Sequence, residues 1–121
     1  MCDFLVESSL IGLMDTINEK EIIIIRFTAE WCAPCKKIDP IIQEFLKTKH
    51  DNIHFYTIDV DESLDLYMKF KKYKMLNGIP ALLAYKKNVD RDFWYIPDDS
   101  HLGGDANGLN KFFSRCNYHV N

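Results

Sequence analysis

Ile22-Ile23-Ile24-Ile25-Arg26-Phe27-Thr28-Ala29-Glu30-Trp31-Cys32-Ala33-Pro34-Cys35-Lys36 joins a β-branched apolar run to two cysteines separated by two residues. From Ile22 to Phe27 the run is apolar on both parities apart from Arg26, which predicts a strand covered on both faces by helices, as in an α/β fold. Beyond it, Ile38, Ile41, Ile42, Phe45 and Leu46 recur at helical intervals, so a helix is expected to start around Cys32. Pro34 then falls in the first turn, where a proline is tolerated. Pro40 falls mid-helix and should bend the chain near Asp39.

Upstream, Leu10, Ile11, Leu13, Met14 and Ile17 form a helical stripe that Ser8 or Ser9 could cap, ending near Asn18. Downstream, Ile53-His54-Phe55-Tyr56-Thr57-Ile58-Asp59 reads as a second strand, and Asp61, Glu62 and Ser63 offer caps for a helix running to about Tyr73. The two strands should be parallel, with a right-handed crossover. Ala81-Leu82-Leu83-Ala84-Tyr85-Lys86 and Asp92-Phe93-Trp94-Tyr95-Ile96 read as an antiparallel hairpin across the polar turn Lys87-Asn88-Val89-Asp90. Residues 97–105 read as a loop, and a last helix is expected from about Asn107 to Cys116. The element order is αβαβαββα: a central mixed sheet flanked by helices.

A chain of 121 residues with 47% apolar and 13% aromatic content can bury one contiguous core, so residues 1–121 are expected to form a single domain. The net charge of -3 gives no drive toward nucleic acid or an anionic membrane. Lys69, Lys71, Lys72 and Lys74 cluster beside Tyr67, Phe70 and Tyr73, and read as a solvated helix face rather than a polyanion site. The opening Met1-Cys2-Asp3-Phe4-Leu5-Val6-Glu7 lacks the basic segment and apolar stretch of a signal peptide. Nor does any apolar run approach the roughly 20 residues that cross a bilayer. A cytoplasmic monomer is expected.

The Cys32-Ala33-Pro34-Cys35 motif carries the chemistry. A helix N-terminus presents unpaired amides and the positive end of a dipole, both of which favour the Cys32 thiolate, the attacking species. Two intervening residues let Cys35 reach a mixed disulfide formed at Cys32, and Pro34 stiffens the turn. A zinc half-site and a pair of inert core thiols are the alternatives. Zinc would need ligands drawn from Cys2, Cys116, His50, His54, His101 and His119, which no usual spacing joins; no metal is expected. The strand-to-helix setting favours redox chemistry. Cys2 and Cys116 could bridge each other, bridge another chain or serve as a regulatory thiol, with free cysteines the default in a reducing compartment.

The segment from Phe27 to Lys36 resembles the active-site strand and motif of the thioredoxin family, with Trp31 matching its tryptophan, and Gly78-Ile79-Pro80 resembles its second hallmark. The resemblance implies a thioredoxin fold, a cis peptide bond before Pro80, and a groove bordered by Trp31, Ala33, Pro34, Gly78, Ile79 and Pro80 that takes a protein substrate. It implies that Cys32 attacks a protein disulfide, that Cys35 resolves it, that a separate reductase recycles the pair, and that no bound cofactor is needed. Two departures bear on this. Arg26 stands where many relatives have a buried aspartate, and Thr57 where they have lysine; Arg26, with Lys36, could tune the thiols or instead pair with Asp59 or Glu30. The stretch 92–104 is longer than in relatives, with an enlarged loop over 97–105 that could shape partner choice, and a glycine near Gly103 or Gly104 is expected beside the site. The alternative function is an interaction or adaptor module of the same fold with weak or no redox turnover.

Overall fold

A computed structural model describes residues 7–87 and 92–120. Its elements are α1 (Glu7–Thr16), β1 (Ile22–Thr28), α2 (Ala33–Thr48), β2 (Ile53–Asp59), α3 (Leu64–Lys72), β3 (Ala81–Lys86), β4 (Asp99–Leu102) and α4 (Ala106–Val120). The sheet order is β2-β1-β3-β4, with β1 parallel to β2 and antiparallel to β3, and β3 antiparallel to β4.

Both parities of β1 are apolar because both faces are covered. Ile23, Ile25 and Phe27 pack with Leu10 of α1 and Leu66, Tyr67 and Phe70 of α3. Ile22 and Ile24 pack on the opposite face with Ile38, Ile42 and Phe45 of α2 and Leu109, Phe112 and Phe113 of α4. All four isoleucines are at most 1% exposed, and burying each stabilises the fold by roughly 1.5–3 kcal/mol. The result is three layers with α2 standing directly behind the end of β1.

Three sequence expectations change. First, α1 begins at Glu7, so Ser8 and Ser9 lie inside its first turn rather than ahead of it. Second, α4 runs to Val120 instead of Cys116, because the buried stripe Leu109, Phe112, Phe113, Cys116 continues to Val120. Asp105 caps its start, accepting from the amides of Asn107 and Gly108 at 3.2 and 3.1 Å.

The third change is larger. Residues 92–96 are not a strand; β3 pairs with the polar segment Asp99-Ser100-His101-Leu102. Residues 92–98 turn back over the α1/α3 face, where Trp94 and Tyr95 pack against the core. Tyr95 stacks on Tyr73 at 4.0 Å, Trp94 meets Phe70 edge-on at 5.9 Å, and the Tyr85 hydroxyl donates to the Tyr95 carbonyl at 2.7 Å. Aromatic content suggested a strand, but here the rings are buried by folding onto the sheet face rather than by extending its edge. A short, polar strand is what an exposed edge tolerates. The expected loop over 97–105 instead contains β4. Of the expected hairpin turn, Asn88, Val89 and Asp90 lie outside the described residues.

The end of α3 carries an anomaly. The amide of Met75 reaches back to the Phe70 carbonyl and that of Lys74 to the Lys71 carbonyl, both at 3.0 Å, and Lys74 has φ 63°. This is the paired-bond helix ending whose left-handed residue is usually glycine, because a Cβ is crowded there. Lys74→Gly is expected to stabilise the protein by about 1 kcal/mol and to raise Tm by roughly 4 °C in a thermal melt.

Candidate active site

Four connections converge at the end of β1. The first runs from Thr28 into α2 and carries the motif. Cys32 is the N-cap of α2, with φ -91° and ψ 103°, and its Sγ accepts the Cys35 amide at 3.2 Å. Pro34 lies in the first turn and Pro40 inside the helix without ending it. Cys32 and Cys35 form a disulfide across Cα atoms 5.2 Å apart. Both cysteines are buried in the disulfide, Cys32 at 4% and Cys35 at 1% exposure, with Cys32 at the very start of α2 and Cys35 inside its first turn. The α2 first turn holds no acidic residue that would oppose a thiolate at Cys32, while Lys36 is exposed beside it.

The second connection, between β2 and α3, brings Asp61 to the motif. Trp31 is 66% exposed, yet its Nε1 donates to Asp61 Oδ2 at 2.9 Å, and the Asp61 amide donates to Asp59 Oδ1 at 2.8 Å. Sequence reading treated Asp61 only as a helix cap. No local signal links it to Trp31, since the contact exists only once β2 lies beside β1. Ser63, the residue at the N-cap of α3, makes no capping bond through its side chain.

The third and fourth connections hold each other. The Ile79-Pro80 peptide bond is cis, Gly78 and Ile79 are half-buried, and Pro80 is buried. The Pro80 carbonyl accepts the Gly103 amide at 2.9 Å. Gly103 has φ +100°, the left-handed region where a Cβ is strained. At Gly104 a Cβ would lie 3.3 Å from the Pro34 Cβ. The Gly103-Gly104 pair thus ties the Pro80 loop to the cysteine motif, and glycine at both positions permits the approach. Trp31, Ala33 and Pro34 are exposed around the disulfide.

Arg26 is buried on the α2 face and pairs with Asp39 of α2 at 2.8 Å, neither with Asp59 nor with Glu30. Asp39 also accepts from Gln43 at 3.4 Å. Arg26 Nε is buried without a partner. With side-chain exposures of 9% for Arg26 and 42% for Asp39, the pair is lopsided: losing the carboxylate strands a buried cation, whereas losing the cation leaves a carboxylate that water can reach. Asp39→Asn is therefore expected to destabilise by about 1–3 kcal/mol, discounted for the exposed partner, and Arg26→Met to stay within about 1 kcal/mol of wild type. Urea unfolding of the two variants decides, and a more harmful Arg26→Met would contradict this account.

Cys116 is a free buried thiol. Burial, reinforced by Asp99, pushes its pKa up to about 12, so it stays protonated and unreactive at neutral pH. Cys2 lies outside the described residues. Among the described residues no group of three or more His, Cys, Asp or Glu side chains is placed to hold a metal ion, and no helix is long and apolar enough to cross a membrane.

The family model described as Thioredoxin matches residues 13–96. Thioredoxin H8 of Arabidopsis thaliana is 35% identical over 71% of this chain, an aligned stretch that spans 53% of that protein. Thioredoxin 1 of Plasmodium falciparum is 34% identical over 71% of this chain and 78% of its own length. The crystal structure of Fasciola hepatica thioredoxin superposes with a TM-score of 0.69 over 95% of this chain and 98% of that one, at 23% identity. That likeness carries the fold.

Proposed function

Because this chain belongs to the thioredoxin family, we propose that it is a protein-disulfide oxidoreductase working through Cys32 and Cys35. The observation that carries the proposal is the Cys32–Cys35 disulfide at the N-terminus of α2, with Cys32 as the N-cap residue. In the reduced protein the Cys32 thiolate attacks one sulfur of a client disulfide, forming a mixed disulfide and releasing one client thiolate, which takes up a proton. Cys35 loses its proton, attacks Cys32 Sγ and expels the second client thiolate. Two electrons pass from the dithiol to the client, and the protein is left with the intramolecular disulfide.

The rim of exposed Trp31, Ala33 and Pro34 with half-buried Gly78 and Ile79 suits a client chain laid across the motif, with Ile79 offering backbone pairing and Pro80 behind it. Arg26 serves the fold through Asp39, and Lys36 adds positive charge near the thiolate. An external reductase restores the dithiol. A single-domain monomer in the reducing cytoplasm fits a chain that keeps Cys116 as an unoxidised thiol.

Reduction of insulin by dithiothreitol, with and without catalytic amounts of the protein, tests the proposal. Wild type is expected to accelerate precipitation of the insulin B chain, and Cys32→Ser to return the rate to background. Equal rates for the two would leave the adaptor reading of this fold in its place. The potential of the pair, measured in a glutathione buffer series, assigns the direction of transfer.

A further inference from the structure

Lys71, Lys74, Leu76, Asn77 and Leu102 line a cavity of about 370 Å³. Two of these residues adjoin the cysteine site along the chain: Asn77 precedes Gly78, and Leu102 precedes Gly103, whose amide is held by Pro80. Along the chain the cavity therefore borders the two loops that meet where the Pro80 carbonyl accepts the Gly103 amide. Leu76 is 2% exposed and supplies an apolar floor, and Leu102 is 44% exposed at its side. Lys71 and Lys74 complete the lining. Lys71 Nζ lies 5.6 Å from the Tyr67 ring centroid, and among the described residues neither Lys71 nor Lys74 is paired with a carboxylate.

Lys74 stands where the helix ending favours glycine, so local backbone physics does not account for its presence. The other flank of the groove has the opposite sign, with Asp61 bonded to Trp31 and Asp59 bonded to Asp61. The Trp31 side of the motif thus carries carboxylates, while the Asn77 and Leu102 side carries Lys71 and Lys74 in one cavity lining.

We propose that Lys71 and Lys74 form a specificity pocket for an acidic side chain, aspartate or glutamate, carried by the client chain near its cystine. The proposal rests on the client-disulfide reading above. The aliphatic part of a glutamate lies over Leu76 and Leu102 while its carboxylate meets the two lysines. Such a contact adds selectivity and leaves the thiol chemistry unchanged.

Two measurements test it, both on disulfide-linked peptides identical except for Glu, Gln or Lys placed in turn at each position flanking the cystine. In the first, kcat/KM for reduction at low ionic strength is expected to favour Glu over Lys at one position by roughly fivefold, the scale of a partly exposed charge pair. That ratio should fall toward one in Lys71→Gln/Lys74→Gln, in Lys74→Gly in part, and in high salt, while the Gln peptide is reduced equally by all forms. The Lys74→Gly protein is expected to melt higher than wild type, so its lost selectivity cannot be laid to unfolding. In the second, calorimetric titration of the oxidised protein reads peptide affinity without any chemistry. Equal affinity for the Glu and Lys peptides, or a preference that survives the double substitution, overturns the pocket. Absence of Cys32-dependent reduction of every peptide overturns the redox reading instead, and the titration still decides the pocket.

Discussion

Cys35→Ser is expected to convert turnover into trapping. Once Cys32 has attacked a client disulfide, the bond between Cys32 and the client can be broken intramolecularly only by the sulfur at Cys35, whose amide already lies 3.2 Å from Cys32 Sγ. A serine hydroxyl is too weak a nucleophile for that step, so the mixed disulfide should accumulate and be visible by mass spectrometry under non-reducing conditions. Insulin reduction should fall by roughly 10³-fold or more, as expected when one member of a nucleophilic pair is removed. Cys32→Ser should lose as much activity and yet trap nothing, because Cys35 is 1% exposed and cannot meet a client sulfur. Trapping by both variants to the same extent would show that the order of attack is not set by burial.

The largest effect on stability is expected at Phe70. Its side chain is 0% exposed, with the Phe27 ring 5.4 Å away on β1 and the Trp94 ring 5.9 Å away. Phe70→Ala removes the ring that joins the sheet, α3 and the segment before β4. The cavity and lost transfer energy together should destabilise by about 3–5 kcal/mol, a large share of the roughly 5–15 kcal/mol typical of a domain. Urea unfolding followed by tryptophan fluorescence reads this directly. Hydrogen exchange should show faster opening of residues 92–98 than of β1, because Trp94 loses a packing partner while β1 keeps both of its sheet neighbours. A loss below about 1 kcal/mol would mean that the site collapses and refills the space.

The cysteine motif was legible because all of its cues are local. The apolar run Ile22–Thr28, the two-residue spacing and Pro34 lie in one continuous stretch, and the strand-to-helix junction follows from their periodicity. The parallel β1/β2 pair was legible for the same reason, since a helix between two strands leaves little other choice. The last strand was misread because its signal is inverted. Phe93, Trp94 and Tyr95 have high strand propensity and form none, whereas Asp99-Ser100-His101-Leu102 has little and pairs with β3. Propensity records how a side chain suits a half-buried pleat, and it cannot tell burial on a strand from burial by a chain folded over the sheet.

The sequence by itself determined the element order and the cysteine motif: two cysteines at a two-residue spacing where a buried strand gives way to a helix, and a mixed sheet between helices. Only the tertiary structure decided what surrounds them, namely that Arg26 meets Asp39, that Trp31 meets Asp61, that Gly104 abuts Pro34 and that Lys71 and Lys74 share a cavity with Leu102. The reason is separation along the chain. Hydrophobic period and capping act over one or two helical turns, while these contacts join residues 13 to 70 positions apart or chosen by a loop's path, and they form only after the sheet has placed its strands side by side.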